Sequence, residues 1–274
     1  MMAGLDGAGA KRPRIIAMAN QKGGVGKTTT AINLGTAMAA VNKKVLIIDL
    51  DPQGNASTGI GVDRDARAVN SYHLTIGESP IGEVVQETEI PGLSIVPSGI
   101  DLSGAEIELI DARHREYCLR DALGEKALKR AGLDVDYILI DCPPALNLLT
   151  INALVAADAV MVPLQCEFFA LEGVSQLVKT IERVKRAFNP RLEIQGIVLT
   201  MYDKRNNLST QVESDVRDHF GDKVYETVIP RNVRVSEAPS HGRPVLVYDF
   251  NCAGAQAYLH LAGEVLKRER GVLS

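Results

Sequence analysis

"RIIAMANQKGGVGKTT" (residues 14–29) decides the fold. Its first seven residues form an apolar run with two β-branched isoleucines, which predicts a buried strand over 14–20. A glycine-rich loop follows, and then an amphipathic helical pattern over 27–41. Strand, glycine loop, Lys-Thr and helix in this order form the context of a phosphate-binding loop. The backbone N–H groups of Gly23 to Lys27 can wrap phosphate oxygens, and the helix N-terminus adds partial positive charge. Lys27 is expected to reach the β- and γ-phosphates of a nucleotide, and the Thr28 hydroxyl to ligate Mg²⁺. The loop departs from the standard G-x-x-x-x-G-K-[ST] form. Gln21 stands where the first glycine is expected, and a second lysine, Lys22, follows it.

Working outward, apolar runs at 44–50, 93–98, 136–143, 159–165, 194–202 and 226–231 complete a set of seven expected strands. Most are apolar throughout, so they read as buried on both faces of a largely parallel sheet. Helical patterns lie between them at 103–130 (one or two helices), 147–157, 171–188, 208–220 and 253–269. The alternation predicts an α/β fold: a single, doubly wound, mostly parallel sheet flanked by helices, of the P-loop NTPase kind. Residues 14–274 read as one domain. Residues 1–13 read as a short mobile tail without the apolar stretch of a secretory signal.

Two acidic stretches belong beside the loop. "IIDLDPQGNAST" (47–58) sits at a strand's carboxyl end, where open α/β sheets bind ligands. Asp49 and Asp51 share a face if the strand continues, although Pro52 can redirect Asp51. "YILIDCPP" has the form of a Walker B strand, four residues and then Asp141, whose carboxylate is expected to hold Mg²⁺ directly or through water. Asn147 and Thr150 are candidates to open the next helix.

Composition excludes several classes. A net charge of −4 gives no global attraction to nucleic acid, so any such binding needs a local patch. Trp is absent, which argues against a base-stacking platform. The four cysteines are far apart, without Cys-x-x-Cys spacing, and fit a reducing cytoplasm better than disulfides, zinc or an iron–sulfur cluster. The five histidines show no metal spacing. No apolar run approaches the roughly 18 residues of a membrane span.

The loop variant "KGGVGKT" closely resembles the deviant Walker A motif of the ParA/MinD ATPases. "LSGAEIEL" (102–109), "PLQCEFFALEGVSQL" (163–177), "LTMYDKRNNLSTQV" (199–212) and "VIPRNVRVSEAPSHGRPV" (228–245) resemble the chromosomal ParA (Soj) branch. The resemblance covers most of the chain from residue 14 onward. It implies an ATP hydrolase, slow until a partner stimulates it, that takes ATP with Mg²⁺ and closes into a sandwich homodimer. The nucleotide contacts implied are Lys22, Gly23, Gly24, Val25, Gly26, Lys27, Thr28 and Thr29. Lys22 crosses to the nucleotide of the second subunit, and Asp51 helps to position the attacking water. Pro230 and Asn232 are the implied adenine contacts. With no Asn-Lys-x-Asp string of the GTP-reading kind, ATP is preferred over GTP.

The resemblance further implies a cytoplasmic, nucleoid-associated protein of DNA segregation. Such a protein coats double-stranded DNA without sequence preference until a ParB-type centromere-binding partner stimulates hydrolysis. Arg205 and Arg234 match DNA-binding positions of the family. Lys204, Arg231 and Arg243 lie near them, and Lys267, Arg268 and Arg270 form a second basic group. The alternative is a MinD-like membrane-cycling ATPase that positions division or cell-pole machinery. Against it, Ala257, Tyr258, Leu261, Ala262, Val265 and Leu266 make a core-facing stripe of the last helix and leave no spare amphipathic helix for a membrane. A metabolic ATP-dependent synthetase of the same fold class is a further rival.

Overall fold

Successive strand residues point to opposite faces of a sheet, and here both faces are covered. Ile15 and Ala17 enter one apolar cluster; Ile16 and Met18 enter the other. Leu46 and Ile48 divide from Val45 and Ile47 in the same way. Runs without polar alternation therefore form a central sheet, as expected of strands with no solvent-facing side. The computed structural model describes residues 12–272. The expected tail falls outside these residues as far as position 11, and Arg12 pairs with Asp158 at 2.9 Å.

Seven strands are found among the described residues: β1 (Arg14–Met18), β2 (Val45–Asp49), β3 (Gln86–Glu87), β4 (Leu93–Val96), β5 (Tyr137–Asp141), β6 (Ala159–Gln165) and β7 (Glu193–Thr200). Their order is β3-β4-β2-β5-β1-β6-β7. All pairs are parallel except the short β3–β4 pair at one edge. One face packs the helices Lys27–Ala40 and Ala253–Val272. The other packs Leu148–Ala156, Ala170–Ala187 and Asn207–Phe220. Ala257, Tyr258, Leu261, Ala262 and Val265 are all buried, so the last helix is a core helix on that side. Among the described residues, no helix is long and apolar enough to cross a membrane.

Two expectations need correction, and one strand was not expected. The stretch 226–231 is not a strand. It runs beside β7 through isolated bridges, Ile197 to Val224 and Tyr202 to Pro230. The Glu264 carboxylate takes the amides of Glu226 and Thr227, at 2.9 and 3.0 Å, and so interrupts the ladder. The 103–130 stretch is not one or two helices but three short ones, Leu102–Glu108, Cys118–Ala122 and Glu125–Arg130. His114 at φ 60 breaks its path, and Gly124 caps the last piece. Strand β3 carries no apolar pattern of its own and arises only from pairing with β4. Asn147, in contrast, caps its helix as expected, its side chain accepting from the Thr150 amide at 3.1 Å.

Candidate nucleotide site

The carboxyl ends of β1, β2, β5, β6 and β7 lie along one rim, the edge at which open α/β sheets bind ligands. The glycine loop leaves β1. Gly24 and Gly26 adopt φ of 74° and 87°, a left-handed conformation that glycine takes without steric cost. Gly26 is the N-cap of the Lys27–Ala40 helix, which has no side-chain cap and no acidic residue in its first turn. Its first amides are therefore left for an anion. Two polar side chains hold the loop. Asn20 accepts from the Lys22 amide at 3.1 Å and donates to the Pro163 carbonyl at 2.8 Å. The buried Thr200 hydroxyl, at the end of β7, donates to the Val25 carbonyl at 2.8 Å.

A cleft of about 570 Å³ opens above the loop, within the size range of small-molecule sites. Gly23, Gly24, Gly26, Lys27, Thr28 and Thr29 line one end, and Asp51 flanks them. Pro230 and Asn232 line the same cleft from a different part of the chain. The Asn232 side chain also caps the Val233–Glu237 helix, accepting from the amides of Arg234 and Val235. The Val25 side chain is buried instead. The Lys27 ammonium is held by the Lys22 carbonyl at 3.1 Å. Burial pushes its pKa below the ordinary lysine value, while the carboxylates of Asp141 and Asp51 oppose that shift.

Lys22 does not line the cleft. Its ammonium pairs with Glu167, which follows β6. Its side chain stays 56% exposed, so the pair with Glu167 is a surface one.

Asp49 and Asp141 are register partners on β2 and β5, both wholly buried. Asp49 is a structural hub. It accepts from the Asp51 amide at 3.2 Å, and from the Ser57 amide and hydroxyl at 2.8 and 2.7 Å. Burial pushes its pKa up to about 6 against those hydrogen bonds. Asp51 sits beyond the strand end and accepts from the Gln53 amide at 3.0 Å. The two aspartates thus divide: Asp49 faces inward and Asp51 faces the cleft.

Neither Asp141 oxygen has a hydrogen-bond partner among the described residues. Burial first, and then the Asp49 charge, raise its pKa well above the ordinary carboxylate value; Thr28 and Lys27 are near enough to oppose the shift. A buried carboxylate without a partner is costly, and a hard cation held by oxygen ligands relieves it. Asp141 with the Thr28 hydroxyl therefore fits Mg²⁺.

Neither candidate DNA residue lines the cleft, although Arg234 sits on the short helix whose Val235 and Ser236 do. Arg205 is 89% exposed and forms a fork on Asp203 at 3.0 and 2.9 Å. Arg234 pairs with Glu237 at 3.0 Å and Asp249 at 3.4 Å. In the second basic group, Arg268 is committed to the fold: it bonds Glu264 and the Val224 carbonyl and stacks on the Tyr225 ring. Sequence reading missed Asn20, Thr200 and Glu167. Asn20 and Thr200 carried a faint signal as polar residues ending apolar strands. Glu167 carried none, since its partner lies 145 residues away.

A family model described as an AAA domain matches residues 13–194. The chain is 64% identical over 257 residues to the chromosome partitioning protein ParA of Caulobacter vibrioides, covering 94% of this chain and 95% of the relative. It is 50% identical over 252 residues to the sporulation initiation inhibitor protein Soj of Bacillus subtilis, covering 92% and 98%. Among solved structures, cobyrinic acid a,c-diamide synthase of Mycobacterium smegmatis with bound ADP and magnesium superposes with TM-score 0.80. That pair is 37% identical and covers 94% and 96% of the two chains. The cell division ATPase MinD of Pyrococcus furiosus gives TM-score 0.75 at 27% identity, covering 93% and 98%. With a phosphate-binding loop, an inward Asp141 and near full-length similarity to these proteins, the chain belongs to the ParA/Soj family of partitioning ATPases.

Proposed function

We propose that this protein is an ATP-hydrolysing chromosome- or plasmid-partitioning protein that cycles between a free and a DNA-bound homodimeric form. Gly23–Thr29 cradle the phosphates of ATP, with Lys27 on the β- and γ-phosphates. Pro230 and Asn232 contact the adenine. Asp141 and Thr28 hold Mg²⁺, which when bound neutralises phosphate charge. Asp51, at the cleft wall, orients the attacking water. Residues 14–274 act as one ATPase domain.

The observation that carries this proposal is the position of Lys22. The cleft already has Lys27, and Lys22 lies outside it with its ammonium on Glu167. A cation at that rim is suited to the phosphates of a second copy, where a dry interface strengthens the attraction. ATP brings more charge than ADP, so closure of the dimer depends on the γ-phosphate. Arg205 and Arg234 then bind duplex DNA without sequence preference. Two copies double the contacts and couple DNA affinity to ATP. A ParB-type partner stimulates hydrolysis and releases the DNA. The protein is cytoplasmic and nucleoid-associated. Burial of the last helix's apolar stripe speaks against a membrane-cycling role, and the higher identity to ParA than to the diamide synthase speaks against a metabolic one.

The test uses Asp51→Ala protein and a fluorescent random-sequence duplex. Anisotropy is read with ATP, with ADP and without nucleotide, at two salt concentrations. Tight, salt-sensitive binding with ATP alone is expected. No binding in any condition, with nucleotide affinity intact, refutes the DNA role and directs the search to liposomes.

A further inference from the structure

The wall of the cleft that carries Asp51 has little regular structure. Asp51, Gln53, Asn55 and Thr58 reach the cleft, yet the segment contains only the five-residue helix Asn55–Gly59. Two buried groups outside it fix its backbone. From the sheet side, Asp49 holds the amides of Asp51 and Ser57, and the Ser57 hydroxyl accepts from the Ser98 amide at 2.9 Å. From the outer side, the clamp is Arg67.

Arg67 is only 8% exposed. Its Nη1 donates to the Gly54 carbonyl at 3.2 Å and, at the long limit of 3.5 Å, to the Ser98 carbonyl. Its Nη2 donates to the Thr58 hydroxyl at 2.9 Å and to the Val62 carbonyl at 2.5 Å, and its Nε donates to the same carbonyl at 3.2 Å. These acceptors are all neutral oxygens. A buried cation is tolerated only when it is fully hydrogen-bonded, and here the bonds go to backbone and hydroxyl groups of 54–62, with one long bond to Ser98 beyond β4. The segment is built around this guanidinium. Gly54 has φ 61°, and a Cβ added there would stand 2.5 Å from Nη1. Asn70 fixes Arg67 in turn, donating to its carbonyl at 2.9 Å.

We propose that Arg67 is a positioning residue for ATP hydrolysis: its planar fork clamps Gly54, Thr58 and Val62 to the end of β4 and so keeps Asp51 on the cleft wall. This rests on the role of Asp51 proposed above. Lysine cannot replace the fork, because its three donors radiate from one point. The phosphate-binding loop is held separately, by Asn20 and Thr200. Loosening the clamp therefore disturbs turnover and leaves ADP binding intact.

The experiment compares wild type, Arg67→Lys, Thr58→Val and Asp51→Ala in the full chain. Thr58→Val removes one acceptor of the fork and, with it, the Thr58 hydroxyl's own bond to the Gly54 carbonyl at 3.0 Å, while keeping the side-chain shape, so it loosens the same clamp even if Arg67→Lys fails to fold. Fluorescent ADP gives the ADP affinity, single-turnover hydrolysis gives the ATP rate, and amide exchange reads residues 51–58. For Arg67→Lys the ATP rate is expected to fall about 10- to 100-fold, the scale of a misplaced catalytic group. Thr58→Val is expected to show a smaller loss in the same direction. ADP affinity stays within about threefold of wild type, and exchange rises in 51–58 but not in 20–29. Unchanged rate and exchange in a folded Arg67→Lys protein overturn the proposal. So does a fall in ADP affinity that matches the fall in rate, which marks a general structural role. If Asp51→Ala hydrolyses ATP normally, the role given to Asp51 fails, and the exchange data alone still decide whether Arg67 holds the segment.

Discussion

Asp141→Asn is expected to stabilise the nucleotide-free protein while removing its response to Mg²⁺. Asp141 is wholly buried, both its oxygens lack hydrogen-bond partners, and its register neighbour Asp49 is also a buried acid. An unsatisfied buried polar group costs about 1–3 kcal/mol, and asparagine removes the charge without changing the shape. Its amide also offers donors to an acidic neighbourhood. The expected gain is therefore at most about 3 kcal/mol, reduced by the attraction to the buried Lys27 ammonium that the substitution removes. For a chain of this size, each kcal/mol raises Tm by about 2–4 °C.

The same substitution has a pH signature. The pKa of Asp141 is raised in the folded state. Between the ordinary carboxylate value and that raised value, the folded protein holds a proton that the unfolded chain has lost. Stability thus falls as pH rises through this window, and the loss is complete above it. Metal-free wild type should lose more stability than Asp141→Asn between about pH 5 and about pH 8. Asp49, raised from 3.8 to about 6, leaves a shared loss of about 1.4 kcal/mol over the same range in the variant.

The assay is thermal and urea unfolding at the two pH values, without ligand and with ADP at about 100 times its Kd, with and without Mg²⁺. Wild type should gain about 2.7 kcal/mol from saturating nucleotide, and the Mg²⁺-dependent part of that gain should vanish in Asp141→Asn. A nucleotide-free variant less stable than wild type by more than about 1 kcal/mol, beyond the usual scatter of a neutral surface change, refutes the strain assigned to Asp141. An unchanged Mg²⁺ response refutes its role as a ligand.

Lys22→Ala should bind ADP nearly as wild type does, because Lys22 lies outside the cleft, but should fail to dimerise on ATP. Light scattering that still shows an ATP dimer removes the crossing role. Thr200→Val deletes the buried bond to the Val25 carbonyl and leaves that acceptor unpaired, so calorimetry should show nucleotide affinity weakened by about 1–3 kcal/mol. An unaltered affinity would mean that the loop holds its shape without Thr200. Arg205→Glu should keep the ATP dimer and lose DNA affinity, with the slope of log K against log salt falling by about 2, one contact per subunit. A slope equal to wild type moves the DNA surface away from Arg205.

Much of this molecule was legible in the sequence because local chemistry sufficed. Uninterrupted apolar runs require burial on both faces, and that alone dictates a covered parallel sheet. Gly24, Gly26, Lys27 and Thr28 form their site within a few consecutive residues. Backbone conformation and the start of one helix bring them together, so their order in the chain already states their geometry. The final helix was readable for the same reason, as a stripe at helical spacing.

What only the tertiary structure decided is how groups distant in sequence share donors and charge. Asp49 and Asp51 are identical in type and two residues apart. One is drawn inward by Ser57, while the other faces the cleft. The run 226–231 has the composition of a strand, but a carboxylate from the last helix takes its amides. Nothing near Lys22 in the sequence marks Glu167 as its partner, and nothing in the sequence marks Arg67, around which the fold closes a ring of carbonyls. Such partnerships depend on distances across the fold, and those distances are set only when the whole sheet is assembled.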